Sequence, residues 1–279
     1  MAGDLPFGPE PARFGGWTLA NDTHRMSIMA NLLPRLTAKG RRELAARFRR
    51  RPARLGGAGP MVSFTFDDAP ASAFDVGGEI LRAQGAAGTY FVSLGLAGLT
   101  TEVGRIADAE QMLQALGEGH ELGCHTHDHL DAWFSSRAEY LASVRRNAEA
   151  WAKLAPAAEF ATFAYPKSGP TVWVKGDLSE RFLACRGGGQ CGNEGTVDLN
   201  LVQACFLDGR TRIQMDQVRM LIDRNASSSG WLVFATHDVA DDPSPYGCKL
   251  GFFERVVEYA VQSGAAILPF GTAAKALLP

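Results

Sequence analysis

The fold of this chain is constrained most by a regular alternation, after Pro60, of short apolar segments with longer amphipathic segments. The first have the length and apolar content of buried strands, and the second have the length of helices. The predicted strands are Met61–Phe66, Gly88–Leu94, His120–Cys124, Phe160–Tyr165, Phe182–Cys185, Trp231–Thr236 and Ala265–Pro269, with Leu201–Leu207 as an additional one. A long irregular stretch is expected after Phe160–Tyr165. Such alternation predicts an α/β protein with a parallel sheet and right-handed crossovers. Seven principal strands suit a distorted (β/α) barrel.

The first predicted strand stops at two adjacent carboxylates, Asp67 and Asp68, and Ala69-Pro70 ends it because proline cannot continue a ladder. Two acids at the mouth of an apolar strand are costly to desolvate unless a positive charge lies opposite. A bound cation would supply that charge. The alternative is a solvated turn, in which Asp is common.

Three of the six histidines fall within five positions, in the sequence His125-Thr126-His127-Asp128-His129. His125 and His129 are four residues apart, so one helical turn would place both on one face. Imidazoles at this spacing commonly hold zinc, and the intervening His127 is expected to point elsewhere. A cluster of this kind argues against isolated core or surface histidines.

The candidate residues share one position relative to the predicted strands, since each follows the carboxyl end of one. Asp67 and Asp68 end the first strand, His125 ends the third, Tyr165-Pro166 end the fourth, and His237 follows Trp231–Thr236. In a (β/α) barrel the active site lies at these ends. The placement supports a common site independently of any motif.

These motifs resemble those of the polysaccharide deacetylase family, also called the NodB-type homology domain or carbohydrate esterase family four. The resemblance rests on Thr65-Phe66-Asp67-Asp68, His125-Thr126-x-x-His129 and the late Thr236-His237, and it spans roughly Pro60 to Phe270. It implies that Asp67 is a general base and that His237 protonates the leaving amine. It also implies that Asp68, His125 and His129 hold one divalent metal ion, for which zinc is expected.

The third motif departs from the family's best-known pattern, Arg-x-Pro-Tyr. This chain reads Phe163-Ala164-Tyr165-Pro166-Lys167, which resembles a Phe-Ala-Tyr-Pro variant and lacks, at Ala164, the arginine that usually steadies the base. Tyr165, Pro166 and Lys167 are expected to contact substrate, with the Lys167 backbone N–H as an oxyanion donor.

Two further residues are candidates for supporting roles in this variant site. Arg186 follows the strand Phe182–Cys185, and its planar fork suits a carboxylate contact that would replace the lost guanidinium. The family's acid-tuning Asp has only one weak candidate here, Asp198.

The function expected from the resemblance is a metal-dependent hydrolase that removes acetyl groups from an N-acetylated saccharide. The alternatives are an O-acetyl esterase, an amidohydrolase acting on a non-sugar amide, or a catalytically inactive glycan-binding barrel. Retention of Asp67, Asp68, both ligand histidines and His237 argues against the inactive barrel.

The composition of the chain limits the binding partners and the cellular compartment that can be expected for it. The chain has 279 residues, 46% of them hydrophobic and 21% charged, with a net charge of −2. These values are typical of a globular protein and imply no attraction to nucleic acid. No stretch approaches the ~20 apolar residues of a transmembrane helix. Five cysteines and the lack of a signal-peptide pattern predict reduced thiols and a cytoplasmic location.

Residues 1–59 are interpreted as an N-terminal extension, followed by a catalytic domain over residues 60–279. The extension contains a predicted helix, Arg35–Arg51, that carries many arginines and one acid, Glu43. A solvated helix packed on the outside of the barrel is preferred, with peripheral contact to a membrane surface as the alternative.

Overall fold

The computed structural model describes residues 38–278, and its strands match the predicted ones closely. The strands are β1 Pro52–Arg54, β2 Met61–Asp67, β3 Thr89–Val92, β4 Thr100–Thr101, β5 Gly104–Arg105, β6 Glu121–Cys124, β7 Thr162–Ala164, β8 Ala184–Arg186, β9 Thr196–Asp198, β10 Cys205–Phe206, β11 Trp231–Thr236, β12 Val239–Ala240, β13 Cys248–Lys249 and β14 Ala266–Ile267. The α-helices are α1 Ala38–Arg47, α2 Glu79–Ala83, α3 Ala109–Gly117, α4 Arg137–Leu154, α5 Val172–Leu178, α6 Met215–Ser228, α7 Leu250–Gln262 and α8 Phe270–Lys275. None of the helices within these residues is long and apolar enough to cross a membrane.

The main sheet is parallel throughout and curls into a distorted barrel. Its strand order is β10-β11-β2-β3-β6-β7-β8, and β14 also pairs with the first residues of β2. β2 and β11 are buried along their whole length, as expected for central strands of a parallel sheet covered on both faces. The predicted α/β class and the distorted seven-stranded barrel are confirmed.

The barrel closes through the chain that leads into β10. Arg186 at the end of β8 pairs with Val202 in a parallel bridge, and Cys205 pairs with Phe234 of β11. The glycine-rich loop after β8 therefore lies beside the closing segment, at the same end of the barrel as the candidate site.

The side chains of β2 point alternately into two buried layers. Val62, Phe64 and Phe66 of β2 belong to the larger cluster beneath the helices, whereas Met61 belongs to a smaller cluster inside the barrel. Because side chains alternate along a strand, Asp67 is in phase with Met61 and faces the interior.

The described part of the extension packs against the barrel. β1 pairs antiparallel with β9, and the Arg51 guanidinium donates to the carbonyl oxygens of Ser179, Phe182 and Leu183 at 2.6–3.0 Å. Arg35 and the rest of residues 1–37 lie outside the described residues, and the division at residue 59 stays a prediction.

Two local predictions were wrong. The segment His125–His129 is a loop and not a helical turn, because Thr126 and His129 adopt left-handed backbone conformations with φ of 59° and 50°. The stretch after Tyr165 was expected to be irregular, but it contains helix α5, whose first turn is capped by the Thr171 side chain at the Val174 N–H.

Candidate active site

Asp67 and Asp68 lie where β2 leaves the sheet, and both are buried. Asp67 completes the strand and faces the barrel interior. Asp68 turns away from the strand with a φ of 58°, which a non-glycine residue rarely adopts. This turn presents the two adjacent carboxylates to different partners.

The imidazoles of His125 and His129 face the Asp68 carboxylate. Their Nε2 atoms lie 3.7 Å and 3.2 Å from Asp68 Oδ1, and their ring centroids are 5.1 Å apart. The Nδ1 atom of His125 lies 2.8 Å from the Ala164 carbonyl oxygen, to which it donates when protonated. That bond leaves the Nε2 lone pair of His125 free to ligate a cation.

These three side chains fit a divalent metal ion. One ligand atom from each lies within 4.8 Å of the others, and Asp68 Oδ1 is buried without a hydrogen-bond partner among the described residues. A buried carboxylate oxygen without a donor is costly unless a cation occupies that position. Two imidazoles and one carboxylate are donors that suit zinc and leave coordination positions open, as catalytic zinc sites do.

Burial sets the protonation of these groups in the metal-free protein. It raises the pKa of Asp68 to about 6, and it lowers the pKa of His125 to about 3 and that of His129 to about 4. The histidines are therefore neutral near pH 7, which is the form that ligates a metal.

Strained backbone concentrates around the site. Within residues 38–278, nine non-glycine residues have positive φ, and five of them lie in the three loops that form the site: Asp68, Ala69, Thr126, His129 and Lys167. Such conformations cost of order 1–3 kcal/mol each and persist where the surrounding structure enforces them. Their clustering here supports a functional origin for these loops.

The partner of Asp67 is Arg186, whose guanidinium Nη2 contacts Asp67 Oδ1. Arg186 is fully buried, and its guanidinium carbon lies 5.4 Å from the ring centroids of both Phe91 and Phe206. Burial alone would raise the pKa of Asp67, but the charge of Arg186, with His125 and His237, holds that pKa below its usual value. Asp67 is thus kept ionised and in a fixed position.

His237 follows β11 on the inward face and approaches the opposite side of the same cluster. Its Nε2 lies 4.0 Å from Asp68 Oδ2, and its Nδ1 lies 3.2 Å from the Tyr246 carbonyl oxygen. When Nδ1 donates this hydrogen bond, Nε2 is the nitrogen that faces the reaction centre. The loop that supplies Tyr246 is closed by Asp238, which accepts hydrogen bonds from Ser244.

His127 does not join the cluster. Its Nδ1 lies 2.9 Å from Asp128, which also accepts from Ser143 and contacts Arg146, both on α4. The backbone N–H of His127 also donates to Ser143 Oγ. His127 and Asp128 therefore anchor the loop to the helix, while His125 and His129 face inward.

Two expectations require correction. The Tyr165 side chain is fully buried, and its hydroxyl donates to the Asn200 carbonyl oxygen, so it packs in the core and does not reach substrate. Asp198 bonds Lys175 and the Arg51 N–H because it belongs to the peripheral pair β1–β9, and it does not contact His237. Pro166 is buried, whereas Lys167 is exposed at the catalytic end.

Sequence reasoning missed Tyr246 and Phe206. Tyr246 contributes a backbone carbonyl, which any residue could supply, so its identity carries no signal. Phe206 ends β10, and its ring centroid lies 6.5 Å from that of His237. The apolar run Leu201–Leu207 predicted a strand, but its register relative to Arg186 and His237 was not predictable.

Comparison with known proteins agrees with this architecture. Residues 56–177 match the model of the polysaccharide deacetylase family. No curated protein sequence matches the chain.

Solved structures with the same fold include deacetylases from bacteria and a fungus. The peptidoglycan deacetylase PdaC from Bacillus subtilis has a TM-score of 0.52 at 14% identity, over 78% of this chain and 91% of its own. The chitin deacetylase from the fungal pathogen Colletotrichum lindemuthianum has a TM-score of 0.54 at 17% identity, over 79% and 89%. A family 4 carbohydrate esterase from Bacillus anthracis has a TM-score of 0.53 at 12% identity, over 80% and 86%. At these identities the likeness shows the fold.

The family match and the fold agree with the motifs that end β2, β6 and β11. The resemblance to the polysaccharide deacetylase family, a family of hydrolases, is therefore confirmed, and residues 56–177 are the part of the chain that matches its model.

Proposed function

We propose that the protein is a metal-dependent N-deacetylase acting on an N-acetylated saccharide. The observation that carries this proposal is the convergence of three imidazoles on Asp68: those of His125, His129 and His237 lie within 4.0 Å of its carboxylate. Asp67, the preceding residue, is buried beside them and contacts Arg186. The family match supports the reaction class, and the donor set supports the metal.

Asp68, His125 and His129 would hold the ion, with zinc as the expected metal. A bound divalent ion would act as a Lewis acid on the acetyl carbonyl and lower the pKa of the attacking water. Asp67, ionised and held by Arg186, would take a proton from that water as it attacks the carbonyl carbon. The Lys167 backbone N–H, just past the end of β7, is the candidate donor to the developing oxyanion.

His237 would act on the opposite side of the tetrahedral carbon. An amine leaves poorly unless it is protonated, and Nε2 of His237 is positioned to supply that proton. The Tyr246 carbonyl fixes the ring by accepting from Nδ1. With a base and an acid on different strands, the site separates the two proton transfers that amide hydrolysis needs.

Acetate release from a panel of saccharides tests this function. Zinc-reconstituted protein should release acetate from N-acetylated oligosaccharides faster than from O-acetylated ones or from simple amides. Faster release from the O-acetylated members would favour the esterase, and binding without release from any member would favour an inactive barrel.

The cellular setting stays a prediction. A cytoplasmic location, and contact of the basic helix with a membrane surface, rest on sequence alone. Fractionation of the source cells tests both, and recovery mainly in a secreted or periplasmic fraction would contradict them.

A further inference from the structure

A cavity of about 940 Å³ opens beside the reaction centre. Lys167 and Phe206 line it, and the Phe206 ring centroid lies 5.4 Å from the Arg186 guanidinium carbon and 6.5 Å from the centroid of the His237 imidazole. Trp133 lines the cavity further out. The cavity therefore lies next to the proposed reaction centre, which it meets at Lys167 and Phe206. Its volume is near the upper end of the range for ligand sites, about 300–1,000 Å³.

One wall of this cavity is formed by α1, which precedes the part of the chain that matches the family model. Glu43, Ala45 and Ala46 line the cavity from the helix, opposite the glycine-rich loop that contains Gly188 and Gly189. Glu43 and Ala46 are exposed on the α1 wall.

Buried polar contacts fix α1 in this position. Lys175 of α5 is fully buried, and its ammonium donates to the carbonyl oxygens of Ala45 at 2.6 Å and Phe48 at 2.9 Å. The same ammonium lies 2.6 Å from Asp198 Oδ2. The last carbonyls of a helix lack partners within the helix, so Lys175 both caps α1 and attaches it to the barrel.

A second cavity of about 550 Å³ continues past the end of α1. Ala46, Gln190, Leu201 and Gln203 line both cavities, so Ala46 lies where the two join. Gln190 Oε1 accepts a hydrogen bond from the Phe206 N–H and Gln203 Nε2 donates to the Leu201 carbonyl oxygen, so these side chains hold the shared walls in place. Together the cavities form a groove longer than the reaction centre itself requires.

We infer that α1, which lies outside the part of the chain that matches the family model, is a wall of the saccharide-binding groove, and that sugar units remote from the reacting acetyl group pass Ala46. This inference rests on the proposed function for the identity of the ligand. It assigns the described part of the N-terminal extension a direct role in substrate selection, in addition to its packing against the barrel.

Filling the junction at Ala46 tests the inference. Binding is measured by titration calorimetry on the zinc-loaded full-length chain, in an Asp67→Asn background so that saccharide is not consumed. The probes are a disaccharide and a hexasaccharide of N-acetylglucosamine. The protein with Ala46 should bind the hexasaccharide more tightly than the disaccharide. Ala46→Trp should raise the Kd for the hexasaccharide by about tenfold or more, equivalent to ~1.4 kcal/mol, and leave that for the disaccharide unchanged.

Matched variants make the outcome decisive. Arg47→Trp adds the same ring at the next position of α1, outside both cavities, and should leave both Kd values unchanged. Ala46→Leu keeps a good helix former and should give an intermediate loss, so it decides the question if Ala46→Trp does not fold. The inference is overturned if the folded Ala46 variants bind the hexasaccharide as tightly as the protein with Ala46 does. It is also overturned if the protein with Ala46 does not bind the hexasaccharide more tightly than the disaccharide.

Acetate release by the protein with Asp67 intact is measured in parallel. A hexasaccharide-specific binding loss without any acetate release would support the groove and reject the deacetylase. Acetate release together with unchanged hexasaccharide binding in the Ala46 variants would support the deacetylase and reject the role of α1 in the groove.

Discussion

Ala164 and Arg186 are direct partners across the parallel pair β7–β8. In the resemblance stated above, Ala164 occupies the position of the arginine that usually steadies the base. The neighbouring strand supplies a guanidinium at the same level of the barrel, and that guanidinium contacts Asp67. The small Ala164 side chain leaves space inside the barrel for it. The guanidinium that contacts Asp67 thus comes from the strand beside Ala164.

Replacement of Arg186 should lower turnover, because Asp67 loses the contact that holds its carboxylate in position. Arg186→Met removes the charge that lowers the pKa of Asp67, so that pKa should rise and the acidic limb of the kcat/KM profile should move to higher pH. Arg186→Lys should restore part of the rate, because it keeps the charge but not the planar fork. The matched control is Arg181→Lys, an exposed arginine just before β8. Wild-type turnover and an unshifted acidic limb in Arg186→Met would reject the role.

The proposed metal site predicts different effects of replacing each of the three histidines in the loop after β6. His125→Ala and His129→Ala should each lose the ion, whereas His127→Ala should retain it, because His127 pairs with Asp128 outside the cluster. Elemental analysis after zinc reconstitution should give about one ion per chain for wild type and for His127→Ala. A full equivalent of metal in both His125→Ala and His129→Ala would show that the site lies elsewhere.

The pH dependence of metal binding should follow Asp68 and not the histidines. The pKa of Asp68 is raised to about 6 by burial, while those of His125 and His129 are lowered to about 3 and about 4. Zinc affinity should therefore rise with pH up to about 6 and then level off, since only the ionised carboxylate is a ligand.

The same carboxyl, that of Asp68, should make the stability of the metal-free protein fall with rising pH, whereas it makes zinc affinity rise. A carboxyl whose pKa is raised by folding stabilises the native state at low pH, and this contribution is lost as pH rises through about 6. Zinc titrations and denaturant melts across this range measure both effects. A zinc-binding midpoint well above pH 6 in wild type would contradict the assignment to Asp68.

The sequence predicted the strands and the strand ends because both depend on local patterns. Apolar segments predicted the strands of the barrel. Because side chains alternate along a strand, the residues of β2 and β11 in phase with Asp67 and His237 are those that face the barrel interior. The loop conformation at His125–His129 was not predictable, because left-handed backbone at Thr126 and His129 is imposed by contacts with α4 and by the cluster itself. The role predicted for Asp198 was wrong for a similar reason, because its partner Lys175 lies on helix α5, which was not predicted from the sequence.

Removal of the proposed base and acid should affect turnover and leave the metal in place. Asp67→Asn and His237→Ala should each lower kcat by ~10²–10⁴-fold, as loss of a general base or acid typically does. Both variants should still bind zinc, because neither belongs to the ligand set of Asp68, His125 and His129. Near-normal acetate release by zinc-loaded Asp67→Asn would remove Asp67 from the mechanism.

The attachment of α1 should contribute measurably to stability. Lys175→Met removes a fully buried ammonium and leaves the Asp198 carboxylate and the Ala45 carbonyl without that donor. Breaking a buried pair by removing one partner typically costs ~3–5 kcal/mol in the free energy of unfolding. Lys153→Met, an exposed lysine of α4, should cost little, and Asp198→Asn in the Lys175→Met background should recover part of the loss. Denaturant melts decide the matter, and equal stability of Lys175→Met and Lys153→Met would show that this contact does not hold α1 to the barrel.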